Sequence, residues 1–125
     1  HSMPHTCLDS FVDERSRTPQ IVLGDCFGSS CSEEFSQAVY DVFVSEGFRV
    51  KRNSPFSGGF ITKNYGVSQQ NVEAIQIEID RSLYIDESTL ELNSGFIELK
   101  EKLEKIFNAL SRTQQGKRPI FKAAE

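Results

Sequence analysis

No stretch of this chain approaches the roughly 18 consecutive apolar residues of a membrane-spanning helix, and from its polar, turn-forming opening no secretory leader is expected. Histidine is scarce: His1 and His5 are the only two. The three cysteines, Cys7, Cys26 and Cys31, are an odd number without zinc-ribbon spacing. That excludes a disulfide framework and predicts reduced thiols in a cytoplasmic protein. An excess of positive charge is missing too. Lys and Arg number 14 against 18 Asp and Glu, a net charge of -4, which excludes a general nucleic-acid surface. There are no internal repeats and no low-complexity segments.

What is present is one soluble, globular domain's worth of chain. At 125 residues, 38% hydrophobic and 26% charged, it is long enough to bury a core. It opens without a methionine on His-Ser-Met-Pro-His, which has neither a helix cap nor a polar leader. A piece of a longer protein is therefore expected.

Ala74 to Arg81 is the most telling stretch. Ile75, Ile77 and Ile79 alternate with Gln76, Glu78 and Asp80, the period of a strand with one face in a core. The other face carries two carboxylates and an amide, followed at once by Arg81, so it is either wet or lines a site. Gln20 to Leu23 reads as a short apolar strand ending at Gly24. Ser32 then announces a helix, with Glu33 and Glu34 in its first turn. Phe35, Ala38, Val39, Val42 and Phe43 keep helical spacing up to Gly47, and Phe48 to Lys51 is a second strand. Strand, helix and strand in so short a span predict a βαβ unit and an α/β fold, a helix-covered, mixed but mainly parallel sheet. Arg52 to Gly66 reads as a loop-rich insert broken by Pro55, Gly58, Gly59 and Gly66. Phe96 to Leu110 reads as an amphipathic helix. Residues 1–19 read as irregular and residues 113–125 as a loose tail.

Several residues could carry chemistry. His1 and His5 have the spacing of a metal pair on a helix, but Pro4 between them opposes that helix. Glu78 alone would ordinarily be a solvated strand carboxylate. Gly24-Asp25-Cys26-Phe27-Gly28 follows a strand and precedes a helix, as a thiol nucleophile elbow would. No histidine follows Cys26 to act as its base. The plainer reading is a glycine-rich turn with a small, buried Cys26. Gly58-Gly59 could let backbone amides approach an anion, though paired glycines usually mark a turn. Arg52, Lys63 and Arg81 are the cations near that loop and strand, and Arg81 stands out beside the Glu78 face.

Taken together, "HSMP", "IVLGDCFGSSC", "RNSPFSGGFITKNYG" and "QIEIDRSLYIDE" resemble, in order and spacing, the N-formylglutamate amidohydrolase family over about residues 1–112. The resemblance implies the C-terminal part of a single catalytic domain, in an α/β fold like that of zinc carboxypeptidases and aspartoacylases. It implies a zinc-dependent amidohydrolase that converts N-formyl-L-glutamate, or a similar N-acyl amino acid, to formate and glutamate in histidine catabolism. It makes His1 one zinc ligand, with the remaining ligands expected upstream of His1, and Glu78 the general base. Arg81 and the Asn53–Gly59 loop, with Asn53, Gly58 and Gly59, would hold the substrate carboxylates. Family members often carry a histidine shortly before the "QIE" strand, where this chain has Glu73. The expected partner is a small-molecule substrate, with no nucleic acid and no membrane, and the isolated piece is expected to be inactive. Two alternatives stand beside this reading: a thiol hydrolase using Cys26, and a non-catalytic or inert fragment.

Overall fold

In the computed structural model, which describes residues 1–11, 18–66 and 72–113, four strands form one sheet. They are β1 (Ser2–Met3), β2 (Ile21–Gly24), β3 (Val50–Arg52) and β4 (Gln76–Asp80), in the order β1-β4-β2-β3. Ile21, Val22 and Leu23 are all fully buried, as an unbroken apolar run inside a sheet must be. β2 and β3 run parallel, joined by helix α1 (Glu33–Ser45), so the βαβ unit stands as expected. β1 is also parallel to β4. The central β2–β4 pair is antiparallel, with Val22 opposite Glu78 and Gly24 opposite Gln76. The sheet is thus mixed, with its antiparallel pair at its heart.

Helix α1 starts where Ser32 Oγ accepts the Phe35 N–H at 3.2 Å. Its Val39 and Phe43 pack with Ile21, Leu23 and Phe48. Helix α3 (Phe96–Thr113) adds Leu99 and Ile106 to the same core. Both helices therefore cover the sheet face that carries the isoleucines of β4. On the opposite face, Met3, Leu8 and Val22 form a smaller buried cluster, with Phe56 packed against it.

Three expectations need correction. Residues 1–19 include β1 and a 3-10 helix, His5–Phe11, because strand pairing to β4 orders a segment with no periodicity of its own. The 52–66 insert contains a helix, α2 (Phe60–Tyr65), running from Gly59 as N-cap to Gly66 as C-cap; its glycines bracket the element rather than break it. Thr113 closes α3 instead of opening a tail, and the rest of the expected tail, 114–125, lies outside the described residues. Among the described residues no helix is long and apolar enough to cross a membrane.

Candidate active site

The alternation of β4 places Gln76, Glu78 and Asp80 on the face away from α1 and α3. Glu78 is 6% exposed and Asp80 3%. Carboxylates so withdrawn from water need partners, and both have a histidine from the start of the chain. His1 Nδ1 lies 3.2 Å from Glu78 Oε1. The Gln76 amide donates to the same oxygen at 2.6 Å. No described residue bonds to the other oxygen, Oε2. His5 Nδ1 lies 2.8 Å from Asp80 Oδ2, while the Ser82 N–H and hydroxyl donate to Asp80 Oδ1 at 3.0 and 2.8 Å.

Strand β1 delivers the histidines. Its backbone is tied to β4 by the Ile79 N–H to the His1 carbonyl, 3.2 Å, and by the His1 amino group to the Ile77 carbonyl, 3.0 Å. Met3 plugs the small cluster below. The His5 N–H donates to Glu87 at 2.9 Å, fixing the far end of the segment.

The 53–59 loop sits at the Gln76 end of β4, docked on the turn after β2. Cys26 N–H donates to the Ser57 carbonyl at 2.7 Å. Gly24 makes that approach feasible: a Cβ there would lie 2.6 Å from the Gly58 nitrogen and 2.7 Å from the Ser57 carbonyl carbon. Backbone atoms cannot swing aside, so Gly24→Ala should displace the loop. A loss of about 2 kcal/mol, read as a melting temperature lower by about 8 °C, is the expected result; an unchanged melting curve would mean that the loop does not rest on Gly24. Gly58, at φ +127°, is also close-packed, since a Cβ there would meet Thr62 Oγ1 and Cys26 Sγ within 2.7 Å.

Asp25, 3% exposed, is the hub of this turn. Its Oδ1 accepts from the Gly28 N–H at 3.0 Å and the Asn53 amide at 2.7 Å, and its Oδ2 from the Ser36 hydroxyl at 2.7 Å. Asn53 Oδ1 in turn accepts from the Asp25 and Phe27 N–H groups. Burial pushes the Asp25 pKa up, but the bonds from Ser36, Asn53 and Gly28 and the charge of Arg52 outweigh it and hold the carboxyl below its usual value.

The residues singled out from sequence are thus brought together unevenly. His1 and Glu78 meet. Gly59 abuts Gln76 on the same face, a Cβ there falling 2.9 Å from Gln76 Oε1. The Asn53 carboxamide is engaged in holding the Asp25 turn. Arg81 opens the 3-10 turn Arg81–Leu83 directly after β4, half-buried, and forms no ion pair with Glu78. Among the described residues its guanidinium is in no hydrogen bond or ion pair. Nothing in the residue pattern signalled the roles of Asp25, Gln76, and the His5–Asp80 pair. Only the shared parity of Gln76, Glu78 and Asp80 hinted that they act on one face.

Glu73 plays a structural part. It takes the Ser32 N–H at 3.1 Å and bonds the Ser32 hydroxyl, tying the approach to β4 to the start of α1. The expected turn around Cys26 is present, with left-handed backbone at Cys26, Phe27 and Gly28. Cys26 is part-exposed rather than buried, and its thiol meets Thr62 Oγ1 at 3.5 Å. Among the described residues no histidine bonds it, so a nucleophilic Cys26 lacks its base. All three cysteines are free thiols. Burial, and then the Asp25, Glu73 and Glu33 charges, push the Cys31 thiol up to about 12, which leaves it inert. An apolar groove of about 540 Å³ opens on the opposite face, between Ile79, Tyr84, Phe96 and Phe107, and holds none of the His1–Glu78 groups.

A zinc site takes at least three protein donors. Among the described residues no group of three or more His, Cys, Asp or Glu side chains could hold a metal ion. His1 beside Glu78 is a single imidazole donor with a carboxylate at its ring nitrogen. These residues by themselves do not make a zinc centre.

A mixed sheet covered by helices on one face, with a histidine and a withdrawn carboxylate on the other, defines an α/β protein with a polar face on its sheet. The sequence profile of the family described as N-formylglutamate amidohydrolase matches residues 1–85, and the chain belongs to that family. The N-formylglutamate deformylase of Pseudomonas aeruginosa is 36% identical over 72 residues, 57% of this chain and 27% of that protein. That of Pseudomonas putida is 30% identical over 73 residues, 58% of this chain and 27% of that protein. The crystal structure of N-formylglutamate amidohydrolase from Ralstonia eutropha matches with a TM-score of 0.82 at 29% identity, over 93% of this chain and 42% of that one. The matched stretch spans about a quarter of the length of the curated relatives.

Proposed function

We propose that this chain carries the base side of an amidohydrolase site that splits N-formyl-L-glutamate, or a closely similar N-acyl amino acid, into formate and the amino acid. The observation that carries the reading is the Glu78 carboxylate: withdrawn from water, bonded through Oε1 and, among the described residues, unengaged at Oε2, on a strand inside the stretch that matches the amidohydrolase family. Oε2 takes a proton from the attacking water as its oxygen bonds to the formyl carbon. The same oxygen then returns the proton to the departing amine nitrogen as the C–N bond breaks. Formate and glutamate leave, and Glu78 is restored.

His1 is one donor in a zinc site of zinc carboxypeptidase-like type whose other donors lie outside the described residues. When bound, zinc supplies Lewis acidity toward the formyl oxygen and the attacking water. The described residues offer too few donors to hold it firmly, so the chain in isolation is expected to release no formate. The Gly58-Gly59 backbone, on a loop held by Asn53, and the Arg81 guanidinium receive the substrate's carboxylates. The setting for the activity is histidine catabolism in the cytoplasm.

The test uses a chimera joining this chain to the part of the Pseudomonas aeruginosa deformylase that it does not match. It should release formate from N-formylglutamate, and a chelator should abolish that release. Arg81→Ala should raise KM for N-formylglutamate by about tenfold or more, the worth of one charge-assisted bond, yet leave KM for a neutral formyl-amino acid nearly unchanged. Equal effects on both substrates would make Arg81 structural.

A further inference from the structure

Glu78 Oε1 accepts a hydrogen bond from Gln76 and has the His1 ring 3.2 Å away, and of these two neighbours Gln76 has no assigned role. Its amide reaches the carboxylate at 2.6 Å, the shortest approach any group makes to Glu78 among the described residues. The other side of the same amide faces the glycine loop: Gln76 Oε1 stands where a side chain on Gly59 would have to begin, 2.9 Å from that Cβ position. Residues two apart on a strand share a face, but their side chains stand upright and need not meet. Here Gln76 leans along the strand onto Glu78, and the bare Gly59 backbone closes the space behind it. Gly24, directly across from Gln76 in the β2–β4 register, has no side chain either. The half-buried amide therefore has the Gly59 backbone on one side and, among the described residues, one charged partner on the other.

We infer that Gln76 is the positioning residue of the site. It pins Glu78 through Oε1, so that Oε2 is the oxygen presented for proton transfer, and it couples the Gly58-Gly59 loop to that orientation. This rests on the reading of Glu78 as the base. A ligand that shifts the loop toward or away from β4 moves the Gln76 amide, and with it the carboxylate. The chemical requirement on position 76 is a side chain of glutamine's length ending in a neutral donor: a carboxylate there would repel Glu78, and a shorter amide would fall away from it.

The Gln76–Glu78 bond can be read on the 125-residue chain without turnover, from the side-chain amide resonances of Gln76 in ¹⁵N-labelled protein. A proton donated to a carboxylate should lie downfield of the other glutamine side-chain amides. Glu78→Gln should return it toward them. Gly59→Ala should do the same at little cost in melting temperature, because the atom in the way is the end of a flexible side chain. In the chimera, Gln76→Met, which keeps the length and removes the donor, should lower kcat by about tenfold with KM nearly unchanged, the worth of one charge-assisted bond. Gln76→Glu should be at least as poor. The inference is overturned if the Gln76 resonance ignores Glu78→Gln, if Gly59→Ala lowers stability while leaving that resonance in place, or if Gln76→Met keeps full kcat. The resonance measurements decide the bond on their own, so a chimera that releases no formate counts against the deformylase reading alone.

Discussion

Glu78→Gln is expected to cut formate release from N-formylglutamate at least about a hundredfold in the chimera, the low end for removal of a general base, while the melting temperature stays close to that of the parent. The two halves of this result have separate causes. Glutamine keeps the volume of the side chain opposite Val22, and its carbonyl oxygen can still accept from Gln76, so the packing of the face is preserved. What disappears is the oxygen that can take up a proton at Oε2. Formate release by the variant at the parental rate would remove Glu78 from the chemistry altogether, and with it the main support for a base on β4.

Asp25→Ala should have the largest effect on stability. The substitution strands the Ser36 hydroxyl, one Asn53 N–H and the Gly28 N–H around a site only 3% exposed. A cost of about 3 kcal/mol is expected from groups so deprived, or roughly 12 °C in melting temperature for a domain of this size. The pH dependence supplies a second readout. Because the folded-state pKa is held below the unfolded value of about 3.9, the contribution is full above that value. It fades as pH falls through the folded pKa. Wild type should therefore lose stability on acidification below about pH 4, and Asp25→Ala should show a shallower acid limb. A variant that melts like wild type at neutral pH, with the same acid limb, would show that the turn does not depend on this carboxylate.

Much of the architecture could be read in the sequence because local physics and tertiary context agree there. Ser32 with Glu33 and Glu34, and the spacing of Val39 and Phe43, specify α1 without help from the rest of the chain. Ile75, Ile77 and Ile79 specify β4 and which of its faces is polar. Where agreement fails, so does the reading. Ser2 and Met3 are a strand only because β4 offers an edge to them, and no two-residue segment carries a periodicity. Helix α2 hides between glycines that look like breakers because they are its two caps. The antiparallel sense of β2 and β4 is a property of how distant segments pair, which no single residue type encodes.

The site was legible in part for the same reason. Glu78 could be chosen from alternation and resemblance. That His1 would stand against it required the parallel β1–β4 register, Ser2 beside Ile79 and Met3 beside Asp80. Asp25 looked like one more turn residue, since its partners Ser36 and Asn53 come from a helix and a loop that converge only in the fold. The partner of His5 could not be read from its neighbours, because the carboxylate it meets lies on a strand far along the chain.

The pairing of β4 with both β1 and β2 sets an order of events during folding. The β2–α1–β3 unit closes through neighbours in sequence, and can form early. β4 has to travel back across the loop and α2 before it finds β2, and β1 can dock only once β4 is in place, because β4 is its sole strand partner among the described residues. Contacts between distant parts of a chain form slowly, since the entropy of closing the loop must be overcome first. His1 is therefore expected to come to rest on Glu78 as one of the last steps, and a fluctuation that lifts β1 away to undo it. In hydrogen exchange, the Ile79 amide, which donates to His1, should exchange well ahead of the β2 amides. Competence of the site would then be a report on the final stage of folding rather than on the core.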